Sequence, residues 1–249
     1  MESVKKAVKR SVCVGVDLGQ ANDPSAYCLT EVVRDPGEPH TLYIVHEIQR
    51  LPLGMSYPDQ ARRLTSIYQH AVAIVADQHV KAKGIRRFLR VPEMDPPPEI
   101  EAAESVWMHV DSTGIGRAVV DTLREAAGIP ASHLMAITIT GGAGHDLHQG
   151  AQMGTTSKEH LISRLSALSG FQRILLPHTE EAKIAASELR DFQFKVADNA
   201  TITYAARVGA HDDLVISLAL SVVLDEARVE SGVLRFGETL RAHYEPNRG

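Results

Sequence analysis

The chain has 249 residues, 44% apolar, 23% charged and 5% aromatic, a balance that fits one globular unit and excludes a fibre or a low-complexity tail. Its 26 Lys and Arg stand against 31 Asp and Glu, a formal charge of -5, which excludes uniform basic adhesion to a polyanion, so any nucleic-acid contact must be local. Two cysteines, Cys13 and Cys28, lie in apolar stretches, which excludes a disulfide framework and a Cys-rich zinc site and predicts buried thiols in a reducing, cytoplasmic setting.

The basic start Lys5, Lys6, Lys9, Arg10 is followed by the β-branched run Val12 to Leu18, where Asp17 ends the apolar stretch too early for a signal peptide. That run predicts a strand, closed by the turn cluster Gly19 to Pro24. Ala26 to Val33 and Thr41 to Ile48 predict two more strands, parted by Asp35-Pro36-Gly37-Glu38-Pro39, so the chain opens as an antiparallel meander. A helix beginning at Pro58 follows, because Ala61, Leu64, Ile67, Tyr68, Ala71 and Val75 share one 3.6-residue face.

Residues 79 to 105 break the pattern with a basic stretch and then Pro92, Pro96, Pro97 and Pro98 among acids, and are read as an insertion or flap. Val106 to Asp111 predicts a strand buried on both faces, and Ile115, Ala118, Val119, Leu123 and Ala126 a helix stopped by Gly128 and Pro130. Leu134 to Thr140 predicts a strand and residues 141 to 155 a loop. Thr156 with Glu159 fits a capping box opening a helix through Leu161, Ile162, Leu165 and Leu168. A short strand at Arg173 to Leu176, a helix capped by Thr179 and a hairpin over residues 192 to 208 come next. From His211 the chain enters a helix, Leu214 to Leu224, apolar nearly all round and therefore buried. The fold class expected is a mixed α/β sheet, antiparallel in its first three strands and parallel afterwards, flanked by helices. No run approaches the ~18 apolar residues of a membrane span.

Acids recur where three buried elements emerge: Asp17 closes the first strand, Asp111 the fourth, and Asp212 and Asp213 open the last helix. Acids are disfavoured within strands and seldom buried unpaired, so their gathering calls for a positive partner. Two hard cations, Mg2+ or Mn2+, take oxygen ligands and suit phosphodiester displacement. Asp17, Asp111 and Asp213 are the candidate catalytic ligands, and Asp212 is a further ligand or the helix cap.

Val14-Gly15-Val16-Asp17-Leu18-Gly19 with Asp23-Pro24-Ser25-Ala26, then Val110-Asp111-Ser112-Thr113-Gly114-Ile115-Gly116, then His211-Asp212-Asp213-Leu214-Val215-Ile216-Ser217-Leu218-Ala219-Leu220, together and in this order, resemble the nuclease domain of the large terminase subunit of tailed bacteriophages. The likeness runs from about Val12 to Leu224. It implies an RNase H-like fold over residues 1–249 and metal-dependent endonucleolytic cutting of double-stranded phage DNA during packaging. It implies as partners a terminase ATPase domain or subunit, a small terminase and a portal protein, and no membrane. It also implies accessory roles for Lys158 and Asp23. A cation in the first turn of a helix opposes its dipole, so Lys158 asks for a carboxylate or phosphate nearby.

Two features depart from the family. No Gly-x-x-x-x-Gly-Lys-[Ser/Thr] is present, so no ATPase domain is expected. The 79–105 segment looks longer than usual and carries Lys81, Lys83, Arg86, Arg87 and Arg90, which are candidates for DNA phosphate contacts in an otherwise acidic protein. Residues 230–249 are expected to form a flexible tail. Two alternatives stand beside this reading. A Holliday-junction resolvase or transposase-type nuclease shares the three-carboxylate site. Gly15-Val16-Asp17-Leu18-Gly19 also resembles the phosphate turn of actin-like small-molecule kinases, but that leaves the last helix unexplained. His145, Asp146 and His148 are read as solvated rather than metal-binding, and His109 as a satisfied core histidine.

Overall fold

A computed structural model describes residues 9–19, 23–35, 38–88, 105–114, 116–125, 128–142, 144–148, 151–196, 202–205 and 212–224. The meander is β1 (Lys9–Asp17), β2 (Ala26–Arg34) and β3 (Leu42–Arg50), paired antiparallel. Helix α1 (Tyr57–Phe88) leads to β4 (Val106–Asp111), and α2 (Gly116–Glu125) leads through a short 3-10 turn (Ala131–His133) to β5 (Leu134–Thr140). Then come β6 (His145–Asp146), β7 (Met153–Ser157), α3 (Lys158–Gly170), β8 (Ile174–Leu175) and α4 (Glu180–Asp191). A two-stranded hairpin, β9 (Gln193–Val196) and β10 (Ile202–Ala205), precedes α5 (Asp213–Val222).

The eight-stranded sheet runs β6-β7-β5-β4-β1-β2-β3-β8, with β1, β4, β5 and β7 parallel. The mixed sheet matches the expected RNase H-like arrangement, with the meander antiparallel and β4, β5, β7 and β8 parallel to their neighbours, except that β6 pairs antiparallel with β7. Alternation along β1 divides its two faces. Val12, Val14 and Val16 join the core under α1 and α2, together with Leu64, Tyr68 and Leu123. The opposite core holds α3, α4 and α5, with Leu161, Leu165, Ala185 and the whole apolar length of α5. No helix among the described residues is long and apolar enough to cross a membrane.

Four sequence expectations change. Helix α1 continues to Phe88, so residues 79–88 are helical rather than part of a flap; Lys, Ala and Arg favour helix without any apolar periodicity to announce it. Residues 89–104 and the tail at 230–249 lie outside the described residues, as does Arg90. The 141–155 loop contains β6 and most of β7, whose Thr155-Thr156 core carries no apolar alternation and is fixed by pairing with β5. The cap of α3 is Ser157, which accepts from the His160 amide at 3.0 Å, while Thr156 is a fully buried strand residue. Ala118 is exposed, and Val119, Val120 and Leu123 make the inner face of α2. Thr179 caps α4 as predicted, accepting from the Ala182 amide.

Candidate active site at the end of the sheet

β1 and β4 are parallel neighbours with Val16 beside Val110, so the next residues, Asp17 and Asp111, end the two strands side by side. Both fall on the face opposite Val16 and Val110, toward α5. The same row extends sideways across the sheet, Asp17 pairing with Ala26 and Ala26 with Arg50 at the end of β3. Helix α5 crosses that face because residue 15 is glycine: a Cβ there would come within 2.1 Å of Ser217 O and 2.4 Å of Ser221 N. His109 secures the crossing from β4, its Nδ1 2.8 Å from Leu220 O and 3.3 Å from Cys13 Sγ. It is a satisfied core histidine.

This docking sets the first turn of α5, with Asp212 and Asp213, beside Asp17. Burial raises the Asp17 carboxyl well above the usual aspartate range, and the charges of Asp111, Asp212 and Asp213 push it further, against a smaller opposing pull from Lys158. Asp111 is also raised by burial, opposed by hydrogen bonding to Thr113, whose amide donates to Oδ1 at 2.8 Å, and by Lys158. The charges of Asp111, Asp212 and Asp213 thus all reach Asp17.

Lys158, expected to need an anionic partner, finds it in Asp212: the ammonium donates to Asp212 Oδ2 and lies 5.7 Å from the Phe192 ring centroid. Asp212 occupies the N-cap position of α5, but its side chain makes no cap hydrogen bond. The cap role expected of it is replaced by this ion pair.

Two residues at the site carry no role in the sequence reading, Arg50 and Glu188, although the family likeness includes the Ser187-to-Phe192 segment that holds Glu188. Arg50 donates from Nε to Asp213 Oδ2 at 2.6 Å and from Nη2 to Oδ1 at 3.2 Å, and Nη2 also donates to Glu188 Oε1 at 2.6 Å. Asp213 and Glu188 are largely buried. Glu188 is raised by burial and by Asp213, against Arg50 and a weaker pull from the Val215 amide. The sheet end thus holds five acids, Asp17, Asp111, Asp212, Asp213 and Glu188, and two basic side chains.

The chain is similar in structure to large terminase nuclease domains. It shares 18% identity with that of Thermus phage P74-26, over 91% of this chain and 84% of that one, at a TM-score of 0.49. For the large terminase nuclease of thermophilic phage G20c with bound magnesium the identity is 20%, over 85% and 80%, at 0.47. For the human cytomegalovirus terminase nuclease domain, manganese-soaked with an inhibitor bound, it is 8%, over 88% and 86%, at 0.42. No family model matches the chain, and no curated protein matches it in sequence.

The oxygen-only donor set fits hard divalent cations. As the side chains stand, no three of the described Asp, Glu, His or Cys residues are gathered in a metal-holding arrangement; Lys158 draws on Asp212 and Arg50 on Asp213. Asp23 lies exposed in the turn after β1, lining a cleft of about 400 Å3 with Gly19, Ser25, Met55 and Tyr57. Lys81, Lys83, Arg86 and Arg87 fall on the C-terminal part of α1. His145 stacks on His160 with ring centroids 3.8 Å apart, and His148 pairs with Asp146 at 2.7 Å.

Proposed function

We propose that the chain is a divalent-cation-dependent endonuclease that cuts double-stranded DNA, as the large terminase subunit does when phage genomes are packaged. One observation carries this reading: half-buried Asp17 feels the like charges of Asp111, Asp212 and Asp213, from β4 and the start of α5. A fold does not retain four such carboxylates at one partly buried sheet end for stability, since like charges cost free energy there. They are accounted for if cations are bound.

Asp17, Asp111 and Asp213 are the ligands in this reading, with Asp212 in support. These residues would hold Mg2+ or Mn2+, two ions in this reading, whose chemistry there would be Lewis-acid stabilisation of the oxygens around phosphorus. The side chains perform the rest. Asp17, with acids on two sides, must release its proton for the site to accept cations. Lys158 and Arg50 offset part of the acid excess, so the site tolerates an approaching phosphate.

Double-stranded DNA is the proposed substrate, and an ATPase domain or subunit, a small terminase and a portal protein are proposed partners. Asp23 is proposed as an accessory acid. Sequence preference is expected to be low, because the chain carries no base-reading motif. Purified protein should nick supercoiled plasmid with added Mn2+ or Mg2+ and stop when chelator is added. Absence of cleavage together with absence of any Mn2+-induced rise in melting temperature would overturn the reading.

Lys81, Lys83, Arg86, Arg87 and Arg90 are proposed to contact DNA phosphates. Changing all five to Ala should weaken DNA binding and flatten the plot of log K against log salt, by up to about 0.9 for each phosphate charge no longer neutralised. A titration by fluorescence anisotropy at several salt concentrations measures both, and an unchanged slope would remove these residues from the interface.

A further inference from the structure

Arg50 stands at a junction that the carboxylate pattern does not account for. It ends β3, in the same row of the sheet as Asp17, and its guanidinium joins α4 and α5. The fork of Nε and Nη2 grips both oxygens of Asp213 on α5, and Nη2 is shared with Glu188 on α4. Glu188 holds Arg50 with one oxygen, and its carboxylate also accepts from the Val215 amide. A largely buried carboxylate is costly unless it is paired, and the charge that pairs Glu188 is Arg50. The planar fork allows one orientation toward Asp213, and Glu188 selects it.

We propose that Arg50 is a positioning residue of the metal site, locked by Glu188, which fixes the Asp213 carboxylate and competes with divalent cations for it. The proposal rests on the reading that these aspartates bind cations. Each oxygen of Asp213 that faces the guanidinium has one lone pair committed to it, so Arg50 restricts how Asp213 reaches a cation. It also places a permanent positive charge at hydrogen-bond distance from that ligand, which lowers the affinity of the site for further positive charge. Lys158 makes no such fork: it reaches one oxygen of Asp212, as a point charge on a flexible stem. Fixed geometry at Asp213 and weakened cation affinity are therefore two consequences of one interaction, and they are separable by experiment.

Arg50→Gln, Arg50→Lys and Glu188→Gln are compared with wild type by calorimetric titration of Mn2+ in the absence of DNA, and by plasmid nicking at saturating Mn2+. Arg50→Gln should bind Mn2+ about tenfold more tightly, the effect expected of removing one charge beside a ligand, yet turn over about a hundredfold more slowly because Asp213 is no longer held. Arg50→Lys should restore wild-type Mn2+ affinity but not turnover, since it returns the charge without the fork. Glu188→Gln keeps an oxygen acceptor for Arg50 but loses the charge-assisted bond, and should slow turnover about tenfold; full turnover in it would remove Glu188 from the lock. Wild-type Mn2+ affinity in Arg50→Gln would overturn this proposal alone, as would full turnover in Arg50→Lys. Wild-type protein that takes up no Mn2+ would overturn the nuclease reading and this proposal with it.

Discussion

Asp17→Asn is expected to lower DNA cleavage by at least about a thousandfold while making the metal-free protein more stable. The two effects have one origin. The carboxylate lies beside Asp111 and close to Asp212 and Asp213, and burial together with these charges holds its proton far more tightly than in the unfolded chain. A carboxyl whose folded value is raised above the unfolded 3.8 stabilises the fold when protonated, and that stability is lost as pH rises from 3.8 through the raised folded value. Asn has nothing to ionise, so the variant keeps that stability at neutral pH. Its melting temperature without divalent ions should exceed that of wild type at pH 7, and the gap should close toward pH 4. In Mn2+ the order should reverse, because wild type gains the ions and Asn lacks the charge to hold them. Removing this ligand forfeits about 4 kcal/mol of transition-state stabilisation, the equivalent of the rate loss above. Melting curves with and without Mn2+ and a plasmid-nicking assay test both halves. An Asn variant that still cuts, or that melts below wild type without metal at pH 7, would remove Asp17 from the centre of the site.

What the sequence makes legible here are features written in local pattern. The β-branched run before Asp17, the 3.6-residue face Ala61 to Val75 and the all-round apolar helix after Asp213 each carry their structure in their own spacing, and each is found buried as the spacing requires. The convergence of the aspartates was legible for a related reason, since a charged residue ending an apolar element is conspicuous. Arg50 was not. It follows an ordinary half-buried strand, where a terminal arginine looks like a solvated end, and its partners Glu188 and Asp213 lie 138 and 163 positions away. Nor did any apolar alternation mark β7, because its Thr155 and Thr156 are held by pairing with β5. Sequence pattern therefore supplied the four aspartates and Lys158, whereas the junction of Arg50 with Asp213 and Glu188 emerged only from the packing of α4 and α5 on the sheet.

Gly15→Ala should destabilise the protein by at least about 4 kcal/mol, well beyond the usual cost of one added methyl group. The reason is what the methyl would meet. Its nearest neighbours would be Ser217 O at 2.1 Å and Ser221 N at 2.4 Å, both backbone atoms of α5, so no side-chain rotation can relieve the overlap. The helix would have to rise from the sheet, and its inner face is locked in place: Ser221 Oγ lies 2.7 Å from Thr30 Oγ1, Leu220 O meets His109, and Val222 O accepts from Arg164. Lifting α5 would break these hydrogen bonds along with the apolar packing on either side of them. For a chain of this size the loss corresponds to a fall in melting temperature of about 10 °C. The same displacement carries Asp212 and Asp213 away from Asp17 and Asp111, so the Mn2+-induced rise in melting temperature should shrink in parallel. Asp17→Asn should abolish that rise without lowering stability, whereas Gly15→Ala should shrink it and lower stability as well. Thermal unfolding of the two variants, each with and without Mn2+, separates loss of a ligand from loss of the helix that delivers two of them. A Gly15→Ala protein melting within about 3 °C of wild type would show that α5 does not bear on β1 as closely as the acid cluster demands.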